Sequence, residues 1–237
     1  MKLLIVTIIT AILASGQAFA TDYRLTEAKA DRFFDNREWA SAQALYGLML
    51  EQEPGVAATY SHAIVASAMM GDTVSTSDLL SQAMSHGVKV DSLFEAVRTT
   101  AFEVSAPSVY ESFMLTAQRD CPWLARAIDG QLLDYYLFRD NGEKIVVFAN
   151  KMLAGLPEST YFLGCLARGH ALQGDFETAV AVWKRILRID PDHYDTLLNL
   201  GNYLIISGDE TNAQTYLERA DKIKPTPYVT ERLASLR

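Results

Sequence analysis

Between Phe176 and Arg188 the apolar side chains fall at Phe176, Ala179, Val180, Trp183, Ile186 and Leu187, while Glu177, Lys184, Arg185 and Arg188 lie off that face. Steps of three and four residues gather the first set into one stripe of a helix, so the spacing predicts an amphipathic helix packed along one side. Gly174-Asp175 precedes it, and Gly208-Asp209 precedes a second helical run. An aspartate at that place can accept a hydrogen bond from a free backbone N–H, so both read as helix N-caps. Beyond Pro225, Thr226 can cap a final helix that has Pro227 at its first position, where a missing N–H costs nothing. Val229, Leu233 and Leu236 would then face inward and Glu231, Arg232, Ser235 and Arg237 outward. No sustained period-two alternation predicts a strand, and no segment is of low complexity.

The helical pattern is written more than once. Gly174-Asp175 recurs as Gly208-Asp209, Ala179 as Ala213, Trp183 as Leu217 and Asp190-Pro191 as Lys224-Pro225, every pair at the same displacement along the chain. The prolines carry the period backward. Pro157, Pro191 and Pro225 keep that displacement, Pro122 precedes Pro157 by one position more, and Pro54 stands two full steps before Pro122. Proline cannot continue a helix, so it suits the boundary between helical units. The phase divides the chain into units at 23–56, 57–90, 91–125, 126–159, 160–193 and 194–227, with a capping helix over 228–237.

Helix-turn-helix units with a period of about 34 residues and this punctuation resemble the tetratricopeptide repeat (TPR). The resemblance implies an all-α, right-handed superhelical solenoid that ends in a capping helix. It is specific over units five and six, where Leu166-Ala167 and Leu200-Gly201 stand in helix A and Ala179 and Ala213 in helix B. Unit one carries Ala30, Phe33, Trp39, Ala42 and Pro54; unit two keeps Tyr60, Gly71-Asp72 and Ala83 but has Val88 in place of proline. Units three and four depart further. Arg98 and Tyr110, then Leu133 and Ile145, occupy the positions where small residues let helices approach, so a wider crossing is expected there. A helical linker between two shorter repeat blocks is the alternative for this middle region.

The amino terminus changes the picture of where the chain works. Met1-Lys2, an apolar run from Leu3 to Ala14 and the pattern Ala18-Phe19-Ala20 have the layout of a secretory signal peptide cleaved after Ala20. A membrane span needs about 20 apolar residues, more than this run supplies. The first cysteine is Cys121, so no lipid-anchoring cysteine follows the cleavage site. The expected product is an exported domain, 21–237, without direct membrane insertion. The short basic start and the absence of Asn-x-Ser/Thr sequons suggest a bacterial envelope, periplasmic or secreted. The net charge is −8, one unit more negative without Lys2, which argues against nucleic acid as a partner.

Candidate chemistry is sparse. His62, His86, His170 and His193 have no second ligand at a zinc spacing, and there is no phosphate loop, nucleophile elbow or metalloprotease helix. No catalytic residue, cofactor or metal site is assigned. The run Asp190-Pro191-Asp192-His193-Tyr194-Asp195 reads as a repeat boundary, with Asp192 a candidate N-cap and His193 a surface turn residue, rather than as a calcium loop. Cys121 and Cys165 fall in separated units, which favours free or intermolecular thiols over an internal bridge. Trp39 and Trp183 are expected to pack between helices.

The resemblance also implies a surface. In the family, helix A of each unit lines a concave groove that binds an extended peptide or a partner helix. Here the groove would present Asp134, Leu137 and Phe138 from unit four, Tyr161, Cys165, Arg168 and Leu172 from unit five, and Leu198, Asn199, Asn202, Ile205 and Ile206 from unit six. Asn199 and Asn202 can pair with a peptide backbone and Arg168 with a carboxylate. The family's C-terminal-carboxylate clamp is absent, since the corresponding positions hold Glu27, Asp31, His62, Ser92 and Ala96. The function expected is an exported protein-interaction scaffold, not an enzyme, with a protein or peptide partner. A binder of a glycan or small ligand is the alternative, and an enzyme built from distant residues such as His170 and Asp134 is a weaker one.

Overall fold

A computed structural model of the chain describes residues 22–236, and the expected leader lies outside them. The described residues form an all-α repeat fold of helix pairs. In order these are α1 (22–35) with α2 (Trp39–Gln52), α3 (Ala57–Met69) with α4 (Thr73–Ser85), and α5 (Val90–Glu103) with α6 (Pro107–Asp120). After a 3-10 turn at Pro122–Leu124 come α7 (Ala125–Phe138) with α8 (Gly142–Gly155), α9 (Thr160–Leu172) with α10 (Phe176–Ile189), and α11 (Tyr194–Ile206) with α12 (Glu210–Ile223). α13 (Pro227–Ala234) closes the array. Two compact units result, one ending at Ala125 and one starting at Arg126.

The turn inside each pair explains the period. A left-handed residue stands at Arg37 (φ 60°), Gly71 (75°), Ser105 (58°), Asp140 (49°), Gly174 (77°) and Gly208 (82°). The steps between them are equal, except that the one from Ser105 to Asp140 is a single position longer. Together with the proline spacing this confines the extra residue to 122–140, where the 3-10 turn sits and the units divide. Glycine is indifferent to positive φ; the other three residues take it at a cost of roughly 1–2 kcal/mol each.

In the first unit α3 is a hub. Eight of its residues are buried, and it packs on α2, α4, α5 and α6. Tyr46, Tyr60, Phe94, Tyr110 and Phe113 fill the space around it, the Phe94 and Phe113 rings meeting edge to face at 5.8 Å. The buried Ser61 and Thr100 hydroxyls satisfy each other at 2.9 Å. α5 packs directly on α6. Arg98 does not wedge them apart: it is turned outward onto Glu95 at 2.6 Å, and Val97 and Ala101 are buried instead.

The second unit is a chain of neighbours, with α8 on α9, α9 on α10, α11 on α12 and α12 on α13. Tyr136 on Phe148 at 5.3 Å, with Leu133 and Ile145 fully enclosed, joins α7 to α8. The boundary prolines are fastened in register: Arg185 donates to the Pro157 carbonyl at 2.6 Å, and Arg219, one repeat on, donates to the Pro191 carbonyl.

Asp175 and Asp209 cap α10 and α12, and Thr226 caps α13 ahead of Pro227, as the sequence predicts. The cap of α11 is His193 rather than Asp192, because the ring Nδ1 accepts from the Thr196 N–H while Asp192 is held in the turn by Asp190. His193 is therefore half-buried. Cys121 and Cys165 are both free and buried.

Candidate binding cleft

An open cleft of about 740 Å³ lies in the second unit. α9 supplies Thr160, Tyr161, Gly164, Cys165, Arg168 and Ala171; α11 supplies Asp195, Thr196 and Asn199, with the cap His193 beside them. Leu137 from α7 and Trp183 from α10 complete the lining. The α9 residues recur at three- and four-residue steps, so they form one stripe of that helix. Trp183 is only 6% exposed, so the indole that ties α10 to its neighbours also serves as cleft wall.

Gly164 sets the depth. A Cβ built there would meet nothing within 4 Å, so a helix-interior position facing the cleft has been left empty. Further along the same helix, a Cβ on Gly169 would lie 2.9 Å from Val146 Cγ2 and 3.1 Å from the Gly142 carbonyl oxygen. One glycine of α9 permits close packing; the other opens space.

The polar groups are arranged around this floor. Arg168 donates through Nη2 to Asp140 Oδ1 at 2.6 Å and to the Leu137 carbonyl at 3.2 Å, and about half of its side chain stays exposed. Tyr161 donates to Asp134 Oδ1 at 3.3 Å. Burial, with Cys165 and Asp134 beside it, pushes the Tyr161 phenol up to about 12. Burial also raises the Cys165 thiol, so it stays protonated and unreactive at neutral pH. The Asn199 amide is exposed and can both donate and accept.

Of the twelve residues expected in the groove, the structure brings Leu137, Tyr161, Cys165, Arg168 and Asn199 into this cleft, with Asp134 one hydrogen bond away. Leu198 and Ile205 are half-buried on α11 outside the lining. Asn202 accepts from the Tyr228 hydroxyl at 3.1 Å, so its amide is engaged with α13. Phe138, Leu172 and Ile206 end their helices. Leu172 shares a face with Cys165 but lies about 10 Å further along the axis, beyond the lining. Gly164 and Ala171 are cleft residues that the sequence reading did not single out, and Trp183, expected to pack between helices, also lines the cleft. The two small ones were legible as members of the 161–165–168 stripe.

A smaller cleft of about 330 Å³ in the first unit is lined by Glu27, Asp31, Asp35 and His62 beside Phe34 and Tyr46. Tyr46 donates to Asp31 at 2.8 Å. His170 sits outside both clefts and pairs locally with Asp175 at 3.0 Å, rather than meeting Asp134. Among the described residues no group of three or more His, Cys, Asp or Glu side chains is placed to hold a metal ion, and no helix is long and apolar enough to cross a membrane.

Residues 194–227, the α11–α12 unit, match the family model of the tetratricopeptide repeat. No curated protein matches the chain in sequence. Among solved structures, the C-terminal part of a TPR repeat-containing protein from Cytophaga hutchinsonii aligns with a TM-score of 0.52 at 14% identity, over 88% of this chain and 84% of that one. A chain of the Naa15/Naa10 assembly bound to HypK-THB aligns with a TM-score of 0.51 at 16% identity over 90% of this chain, which spans only 33% of that protein's length. A Bacteroides ovatus protein aligns with a TM-score of 0.51 at 13% identity, over 76% of this chain and 96% of that one. At these identities the likeness is one of fold.

Proposed function

We propose that this chain is an exported, non-enzymatic scaffold of the tetratricopeptide type, and that the α9–α11 cleft of its second unit holds a segment of a protein partner. The observation that carries this reading is the cleft. It has a size suited to a short stretch of peptide, an apolar floor at Gly164, Ala171 and Trp183, and polar groups at Arg168 and Asn199 that can fix a backbone. Tetratricopeptide repeats mediate protein–protein contact, which agrees with a surface of helix-A side chains. The signal-like start of the sequence supports work in a bacterial envelope.

The test uses the exported chain as bait in envelope extracts, compared with Gly164→Leu and Asn199→Ala. A Cβ at position 164 meets nothing within 4 Å, so Gly164→Leu should fill the cleft while the melting curve stays close to the parent's, and partner recovery falls sharply. Recovery of the same partner at the same yield by both variants sinks the cleft assignment. Export is checked separately: amino-terminal sequencing of the mature protein gives Thr21, whereas a chain that keeps Met1 in the cytoplasm overturns it. The cleft also has the aromatic and amide lining that a glycan would need. Such a ligand raises the melting temperature of the isolated chain, which is how that reading is told from a peptide partner.

A further inference from the structure

The residue two places before the left-handed turn is large, apolar and exposed in every repeat of the second unit: Phe138 at 74%, Leu172 at 45% and Ile206 at 83%. Each is the last helical residue of α7, α9 or α11, and they stand one repeat apart. Scattered exposed hydrophobics are ordinary on any protein. Three at one register in consecutive repeats are not scattered. The matching positions of the first unit are Asp35, Met69 and Glu103, so the fold itself accepts charge there.

The ground beside this ladder is acidic. The turns and first helical residues that follow it hold Asp140, Glu143, Asp175, Glu177, Asp209 and Glu210, against Arg139 and Lys144, with Asp140 ion-paired to Arg168. We propose that this edge is a docking surface for an amphipathic partner segment, with apolar residues seated on Phe138, Leu172 and Ile206 and lysine or arginine side chains facing the acids. The acidic border selects a basic segment and opposes an anionic lipid surface. This surface is separate from the cleft, whose lining contains Leu137 and Ala171 but none of the three ladder residues.

The probe is a fluorescein-labelled helical peptide of leucine and lysine, titrated against the full chain and followed by anisotropy. The combined variant Phe138→Gln, Leu172→Gln, Ile206→Gln, whose melting curve is compared with the parent's so that a folding defect is told from a lost surface, binds at least tenfold more weakly. Replacing the peptide lysines with glutamate abolishes binding, and raised salt weakens it. Gly164→Leu leaves it unchanged, which keeps this result independent of the cleft. Equal affinity of the combined variant overturns the proposal, as does equal affinity for the glutamate peptide. Loss of binding in Gly164→Leu also overturns it, by moving the peptide into the cleft. Adsorption to phosphatidylglycerol vesicles through the same three residues would make the edge a lipid surface and sink the protein-partner assignment.

Discussion

The two units reach the same pairwise architecture by different means. In the second, each helix from α8 to α13 starts at a residue whose own side chain accepts a backbone N–H: Asn141, Ser159, Asp175, His193, Asp209 and Thr226. In the first, Asp72 does so for α4, whereas Glu38, Val56, Lys89 and Ala106 give α2, α3, α5 and α6 no such bond. The first unit compensates with burial, packing large aromatics around a central helix. Local satisfaction suits a chain of neighbours, since each repeat must hold its shape with contacts on two sides only. A hub can leave its helix ends to tertiary contacts, because α3 meets four partners.

Removing core from the hub tests this contrast most severely. Phe94 is 2% exposed and its ring stands on Phe113. Phe94→Ala deletes that contact and leaves a cavity, costing about 3–5 kcal/mol. Urea unfolding followed by circular dichroism should show it. A loss below about 1 kcal/mol, far short of a core deletion, would mean that α3 is not the organising element of the first unit.

The next effect separates two glycines of α9. Gly169→Ala forces a methyl against Val146 and the Gly142 carbonyl and should cost about 1–3 kcal/mol. Gly164→Ala enters open space and removes a helix-interior glycine, so it should stabilise by up to about 1 kcal/mol. Opposite signs from the same substitution on one helix are the expected reading of paired melting curves. A shared sign would show that α8 and α9 can move apart, or that Gly164 is less open than its surroundings indicate.

Helix caps give a smaller, more direct comparison. Asp209→Ala removes the acceptor for the Asn212 N–H and should cost about 1 kcal/mol. Lys89→Ala, at a helix start without a side-chain cap, should stay within about 0.5 kcal/mol of the parent. Equal losses at the two sites would erase the distinction between local and tertiary support.

The same contrast explains what could be read from the sequence. The second unit announces itself because its turn glycines, caps and boundary prolines are local signals. Repeats five and six are legible for that reason. The left-handed position exists in all six repeats, but only Gly71, Gly174 and Gly208 mark it with a residue that suits it. Arg37 and Ser105 adopt it with residue types that do not favour it, and Asp140 with one that does so only modestly. The outward turn of Arg98 was hidden too: the helix rotates so that Val97 takes the buried place, and only packing decides that. In the cleft, the α9 stripe was readable at Tyr161, Cys165 and Arg168. Asn202 was not readable as bound to Tyr228, since that bond joins separate helices and depends on where α13 docks.

Acid sensitivity supplies the finest comparison, because one cap in each unit responds in the same direction. The Asp72 carboxyl is held below its ordinary value first by the Ser75 hydroxyl and then by the Ser75 N–H; Asp175 is held down first by the Thr178 hydroxyl and then by the Thr178 N–H. A carboxyl whose pKa is lower in the folded state contributes stability above the ordinary carboxylate pKa, and that contribution is lost as pH falls through the folded value. Asparagine remains a good cap but does not titrate in this range. Asp72→Asn and Asp175→Asn should therefore leave neutral-pH melting nearly unchanged and flatten the decline of melting temperature on the acid side of about pH 4. Asp175 has one further partner, since the His170 ring adds a smaller downward pull that Asp72 lacks. His170→Gln should remove only that increment. If it flattens the acid limb as fully as Asp175→Asn, the histidine pair rather than the cap carries the effect, and the two units differ in their electrostatics as well as in their packing.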